Sequence, residues 1–349
     1  MNALKNIDRL QVNHDFLLTL LSVYESKGKE FYYDEVLQRD KLVFTKNVVE
    51  ENTYFLSEYF NLDLTEARLK SLAKRNLTHK NKTEALVNNF KKAINSIHIK
   101  KGFKLITNEV IELANLLSKN NDKIQINTYQ KDNTLLANKR NQSSKRELLE
   151  QLVSLYDQTV RGKKFEIIQI ITNFYIDLLQ MDIFSIRNKE IANIIMYALL
   201  YNEFTVFKYI SFFKYFSKYR ERWEIAVTQA SYNWQSGYAQ TDQLSRILVE
   251  VILESYRDID EFLHEYVFEQ KLNKTDNIEN TVLKGPEVFS KKDIRKLHPT
   301  TSEATIDRTL KRLKDEGIIR PLGRGRSAKW IRLVEGNNKI NYEKDLFTY

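Results

Sequence analysis

The hydrophobic positions of the chain gather into long runs over its first 284 residues and into short alternating ones after that. The most apolar stretch, Ile167 to Phe184, is broken by Gln169, Asn173, Asp177 and Asp182. That pattern predicts a buried helix, since a membrane span needs roughly 20 apolar residues with few breaks. Further apolar helices are predicted over Ile191–Tyr201 and Leu244–Ile259. All three prolines (Pro286, Pro299, Pro321) and five of the nine glycines lie beyond residue 284. A body so poor in helix breakers is expected to be mainly α.

The last 65 residues follow another pattern. Ser290 is placed to cap a helix over Lys291–Leu297, with Asp293 favourable in its first turn, and Pro299 ends it. Ser302 is placed to cap a second helix, Glu303–Asp315, and Gly317 suits its left-handed exit. Ile306, Leu310 and Leu313 fall on the core side of that helix. Thr305, Arg308, Lys311 and Arg312 lie mostly on the other side. Ile318–Arg320 and Lys329–Leu333 read as two strands around the turn Gly323–Arg326. Two helices and a hairpin of this kind make a winged helix-turn-helix.

Charge changes the picture of this region. The chain carries +9 over 349 residues, and Val288–Leu333 alone holds 13 Lys or Arg against 5 Asp or Glu. Such a concentration suits a polyanion, so double-stranded DNA is the expected partner. The expected DNA-binding residues are Lys291, Lys292, Ser302, Thr305, Arg308, Lys311, Arg312, Arg324, Arg326 and Lys329. Arg308 or Arg312 could read guanine or hold a phosphate, and Arg324 and Arg326 would sit at the wing tip. The basic run around Lys74–Lys104 reads as a solvated helical face, with a second DNA contact as the alternative.

Composition excludes several chemistries. There are no cysteines, which removes disulfides, thiolate metal sites and cysteine nucleophiles. The five histidines (His14, His79, His98, His264, His298) have no metal-ligand spacing, so no metal and no cofactor is expected. Met1–Arg9 lacks the apolar core of a signal peptide, and the expected location is the cytoplasm.

The segment Ser302–Ile319 resembles the recognition helix and first wing strand of winged-helix regulators. The order of segments upstream is similar to the Fic family, whose enzymes transfer AMP from ATP to protein hydroxyls. The similarity runs through the apolar helix Phe174–Asp182, the stretch Ile183–Glu190, the helix after it, Phe207–Ser211 and Ala230–Trp234. Thr65–Lys70 resembles the stretch after the family's N-terminal helix. The family loop reads His-Pro-Phe-x-Asp-Gly-Asn-Gly-Arg.

This chain departs from that loop at the positions that carry chemistry. Asp182 stands at the general-base histidine, and no histidine occurs between His98 and His264. Arg187 and Lys189 occupy the two glycine places, Ile186 the metal-binding acid, and Glu190 the phosphate-gripping arginine. Phe184 and Asn188 survive, the first as a packing residue and the second to cap or brace the helix. Asp182 is expected to cap a helix. Upstream, Phe60 stands where many family members carry an inhibitory glutamate. The polar stretch Asn120–Lys145 lies where the family has a flap, and is expected as a loop or short hairpin.

The resulting expectation is a mainly α chain with a Fic-like helical domain and a small α+β winged helix. Its parts are an N-terminal helical region (1–104), a Fic-like core (105–271) with a degenerate loop at 182–190, a linker (272–286), the winged helix (287–335) and a tail (336–349). The expected function is a DNA-binding transcriptional regulator, not an enzyme. Its Fic-like domain would serve homodimerisation or the sensing of a ligand or protein partner, with no role for a membrane. The alternatives are a divergent AMP transferase, and an adaptor of a toxin or phage-defence module.

Overall fold

The computed structural model describes residues 2–10, 12–100, 102–118, 124–126, 144–271, 274–298, 301–323 and 329–333. The chain divides into two compact units, Met1–Glu261 and Phe262–Tyr349.

The first unit is built of helices. A 3-10 turn over Leu4–Arg9 precedes α1 (His14–Lys27), α2 (Glu30–Leu37) and α3 (Lys41–Tyr59). Then come α4 (Glu66–Lys74), α5 (Lys82–Ile99), α6 (Thr107–Ser118), α7 (Lys145–Gly162) and α8 (Ile167–Gln180). They are followed by α9 (Asn188–Glu203), the short α10 (Phe212–Phe216), α11 (Arg220–Tyr232) and α12 (Asp242–Lys271), whose last turns belong to the second unit.

Polar residues fix where these helices begin. Asn13, Thr65, Asn81 and Ser144 accept hydrogen bonds from backbone amides of the first turns of α1, α4, α5 and α7. Ser144 and Glu147 form a reciprocal capping box. The apolar run read as a buried helix is α8, which is buried from Ile168 to Leu178 and packs against α7, α9 and α11. Among the described residues no helix is long and apolar enough to cross a membrane.

The aromatic run Phe207–Trp223 contributes to the core. Phe207, Phe212, Phe213, Phe216 and Trp223 are fully buried, with Phe216 edge-on to Trp223 at 4.9 Å between ring centres. Polar groups inside this unit find partners across it. Buried Asp177 accepts from the amides of Ala3 and Leu4 at 2.9 Å and from Trp234 Nε1 at 2.6 Å. These bonds hold the N-terminal turn against α8.

The second unit mixes helices and strands: α13 (Lys274–Lys284), β1 (Val288–Ser290), α14 (Lys291–Leu297), α15 (Glu303–Asp315), β2 (Ile319–Pro321) and β3 (Lys329–Arg332). The strands form an antiparallel sheet in the order β1-β3-β2, with Phe289 opposite Trp330 and Arg320 opposite Ile331. Pro321 is tolerated because β2 is an edge strand. Ser290 and Ser302 cap α14 and α15, and Gly317 takes φ +75° where α15 ends.

Two features differ from the sequence reading. Strand β1 pairs on the far side of β3 from β2, a partner that the two-strand hairpin reading lacked. The stretch expected to be a polar linker contains α13, and its Ile278 and Val282 are buried with Phe289, Ile294, Ile306, Leu310, Leu313 and Ile319. The spacing of Ile278 and Val282, four apart, puts both on one helix face. The many polar neighbours hid that face from a composition argument.

Candidate functional site

The loop between α8 and α9 begins where α8 unwinds. Asp182 takes a left-handed φ of +46° one residue beyond the helix cap, and its amide donates to Leu179 O at 3.2 Å. It therefore ends α8 through its backbone. Exposed Asp182 Oδ1 accepts from Asn188 Nδ2, at the first residue of α9, at 2.7 Å. Lys145, almost wholly buried at the start of α7, donates its ammonium to Met181 O just before this bend.

Asn188 braces the loop, as one reading of its side chain had it. Its Oδ1 accepts from Phe184 N at 2.9 Å, and its Nδ2 donates to Phe184 O at 2.6 Å. Phe184 is buried to 1% exposure and packs the loop on the core. A short segment from the polar stretch runs alongside: Ile126 pairs with Phe184, Ser185 N donates to Gln125 O at 2.8 Å, and Gln125 N donates to Ser185 Oγ at 3.0 Å. Of the stretch Asn120–Lys145, the described residues are 124–126, 144 and 145.

The loop's charges are matched within the protein. Arg187 NH1 meets Glu190 Oε1 at 3.1 Å, with both side chains less than a fifth exposed. Lys189 Nζ binds Glu224 on α11, and Tyr59 OH at the end of α3 donates to the other oxygen of Glu224. Burial first, then Tyr175 and Glu224, raises the Tyr59 phenol far above its ordinary range, so it remains a donor. Phe60 packs against Tyr59 and Phe90. Arg187 also has φ +62°, a left-handed conformation that costs an arginine about 1 kcal/mol and a glycine almost nothing.

Arg187 is engaged by Glu190, and Lys189 by Glu224. Arg187 Nε is buried with no hydrogen-bond partner among the described residues. Glu224 lies 35 positions from Lys189, and nothing in the local sequence signals that pairing.

The DNA-binding candidates of the second unit differ in how they are engaged. Exposed Arg308 and Lys311 on α15 enter no ion pair with a described residue, and Arg308 Nε donates only to Ala304 O at 3.3 Å. Arg312 is engaged inside the unit, bound to Glu279 of α13 and to Glu316 at 3.1 Å. Ser302 Oγ and Thr305 Oγ1 bond each other at 2.8 Å, and Ser302 also caps α15. Lys329 is exposed on β3. Arg324 and Arg326 lie outside the described residues.

Helix α14 adds a face that the sequence reading only half found. Lys291, Lys292, Arg295 and Lys296, with Glu303, line a depression of about 750 Å³. Lys291 reaches Asp307 at 2.7 Å, and Arg295 binds Glu303. Lys292 and Lys296 enter no ion pair with a described residue. Arg295 and Lys296 repeat Lys291 and Lys292 four residues on, and that i, i+4 spacing was the available signal.

Among the described residues no three His, Asp or Glu side chains gather to hold a metal ion. His98 Nε2 lies 2.6 Å from Tyr197 OH and His298 Nε2 lies 2.6 Å from Thr281 Oγ1, each inside its own unit.

No protein-family model matches the sequence, and no curated protein matches it. Solved structures do. One is the crystal structure of a Fic family protein from Desulfovibrio desulfuricans G20, with TM-score 0.55 and 12% identity over 94% of this chain and 98% of that one. Another is a Fic domain containing signaling protein from Bacteroides thetaiotaomicron VPI-5482, with TM-score 0.47 and 12% identity over 68% of this chain and 98% of that one. The likeness to the first shows that this mainly α chain has a Fic-like fold.

Proposed function

We propose that the second unit is a winged helix that binds duplex DNA, and that the Fic-like body serves a regulator without catalysing AMP transfer. The observation that carries the DNA half is the set of four cations without ion pairs to described residues, Lys292, Lys296, Arg308 and Lys311, on the two helices α14 and α15. Ammonium and guanidinium groups that no carboxylate holds gain most from phosphate. Arg308 is the base-reading candidate. Arg312 braces α13 against α15 and is assigned no DNA contact. As a homodimer the protein would read paired half-sites about one helical turn apart.

Loss of catalysis rests on the loop. Its two cations are engaged by Glu190 and Glu224, and its exposed Asp182 is bonded to an amide that cannot relay a proton. A transferase needs a base free to take the hydroxyl proton and donors free for phosphate.

The test is DNA affinity across a salt series, wild type against Lys292→Gln/Lys296→Gln/Arg308→Gln/Lys311→Gln. Each phosphate that the variant no longer neutralises should flatten the slope of log K against log salt by about 0.9. An unchanged slope and affinity would overturn the DNA reading. Incorporation of label from ATP into the protein or a lysate partner, abolished by Asp182→Ala, would overturn the catalytic half.

A further inference from the structure

A cavity of about 850 Å³ opens on the first unit between α3, α5 and the connection from α4 to α5. Four lysines border it: Lys46 from α3, Lys74 from the end of α4, and Lys91 and Lys92 from α5. One carboxylate faces them, Glu50, and Lys46 reaches it only at 4.0 Å. Lys74, Lys91 and Lys92 enter no ion pair with a described residue. Lys91 Nζ has a single weak contact, Arg75 O at 3.5 Å.

The cavity also has an apolar side. Val49 is buried in its floor and Leu77 is half-buried there. Ile99 and Leu42 stand at its edge, 72% and 87% exposed. The walls are fixed in advance. Arg68 grips Glu84 with two bonds of 2.8 Å, tying α4 to α5, and Asn88 Nδ2 donates to Leu77 O at 3.0 Å to hold the connection.

We infer that this cavity binds a small phosphorylated molecule with an apolar body. The lysines supply charge for the phosphate, and the Val49–Leu77 floor takes the ring or chain. An ammonium drawn partly out of water beside like charges is destabilised until an anion joins it. Lys91 is in that position: burial lowers it below the ordinary lysine range, Glu50 offsets part of this, and Lys46 adds to it. A phosphate monoester relieves the repulsion, whereas a neutral ligand does not. The site is separate from the DNA-binding reading and does not depend on it.

Fluorescence titration of the full chain with 1-naphthyl phosphate at fixed ionic strength tests the inference. The expected result is saturable one-to-one binding, at least tenfold tighter than 1-naphthol or than inorganic phosphate measured by displacement. Lys91→Gln/Lys92→Gln should weaken it tenfold or more, as should Lys74→Gln/Lys92→Gln, which alters exposed groups and leaves the fold intact. Lys292→Gln/Lys296→Gln should leave it unchanged. Equal binding by wild type and both cavity variants would overturn the proposal. So would naphthol binding as tightly as its phosphate. Displacement of the probe by a duplex oligonucleotide from wild type, with the oligonucleotide binding lost in Lys91→Gln/Lys92→Gln, would make the groove a polyanion contact and overturn it as well.

Discussion

Asn188 ties Asp182 to Phe184: one amide group donates to Asp182 Oδ1 at 2.7 Å and exchanges two bonds with the Phe184 backbone. The loop's shape thus depends on a side chain at the first position of α9. Asn188→Ala removes all three bonds, among them the one that the Phe184 amide donates. The expected loss is about 2 kcal/mol in urea unfolding, whereas Asp182→Asn, at an exposed site, should cost less than about 1 kcal/mol. Equal effects of the two changes would show that the Phe184 bonds do not matter.

Arg187 makes a second test of the same loop. Arg187→Gly relieves the left-handed backbone but gives up the bond to Glu190, so stability should stay within about 1 kcal/mol of wild type. Arg187→Val gives up the same bond and keeps the strain with a β-branched side chain. It should be less stable than the glycine variant by roughly 2 kcal/mol.

His98 should make stability depend on pH. Burial lowers its pKa from 6.5 to about 4, and its ring rests against Tyr201 at 4.5 Å with Nε2 on Tyr197 OH. Between those two values the unfolded chain binds a proton there that the folded chain does not. Stability contributed by neutral His98 is therefore present above pH 6.5 and lost as the pH falls toward 4. The side chain is only part-buried, so the loss is on the order of 1–3 kcal/mol. Unfolding free energies at pH 7 and pH 4.5 should differ less in His98→Gln than in wild type, and an unchanged difference would refute the assignment.

Asp177 anchors the N-terminal turn from the last turn of α8. Asp177→Ala leaves the Trp234 indole and the Ala3 and Leu4 amides without this carboxylate, at an expected cost of about 3 kcal/mol. Amide exchange over residues 3–9 should accelerate more than exchange in α5. Uniform acceleration would mean that the turn is not a local unit.

Arg308 and Arg312 should separate in function although both lie on α15. Arg308→Ala is expected to weaken duplex binding and leave the melting temperature alone. Arg312→Ala abandons Glu279 and Glu316, and should lower stability by about 1 kcal/mol for its half-exposed pairs. The reverse assignment of effects would move the DNA contact to Arg312.

Much of the fold could be read from local chemistry. The bounds of α14 and α15 follow from Ser290, Ser302 and Gly317, because caps act within one turn. The burial of α8 follows from its composition, and the packing of Phe184 is what the resemblance of its loop to the family loop implied. What stayed hidden depends on distance along the chain. Strand β1 exists because Phe289 faces Trp330, far along the sequence. The charge state of the loop depends on Glu224, and the engagement of Arg312 on Glu279. The lysines of the cavity sit on α3, α4 and α5, and their meeting is a product of tertiary packing alone.

The burial of Ile278 and Val282 bears on how this protein can be cut. A fragment started at residue 287 would discard one wall of its own hydrophobic interior and expose Ile294, Ile306 and Leu310 to solvent. A fragment started at Phe262 keeps that wall. A protease given the native chain should therefore find its resistant C-terminal piece beginning ahead of α13, so that the stretch read as a linker travels with the domain it was expected to separate.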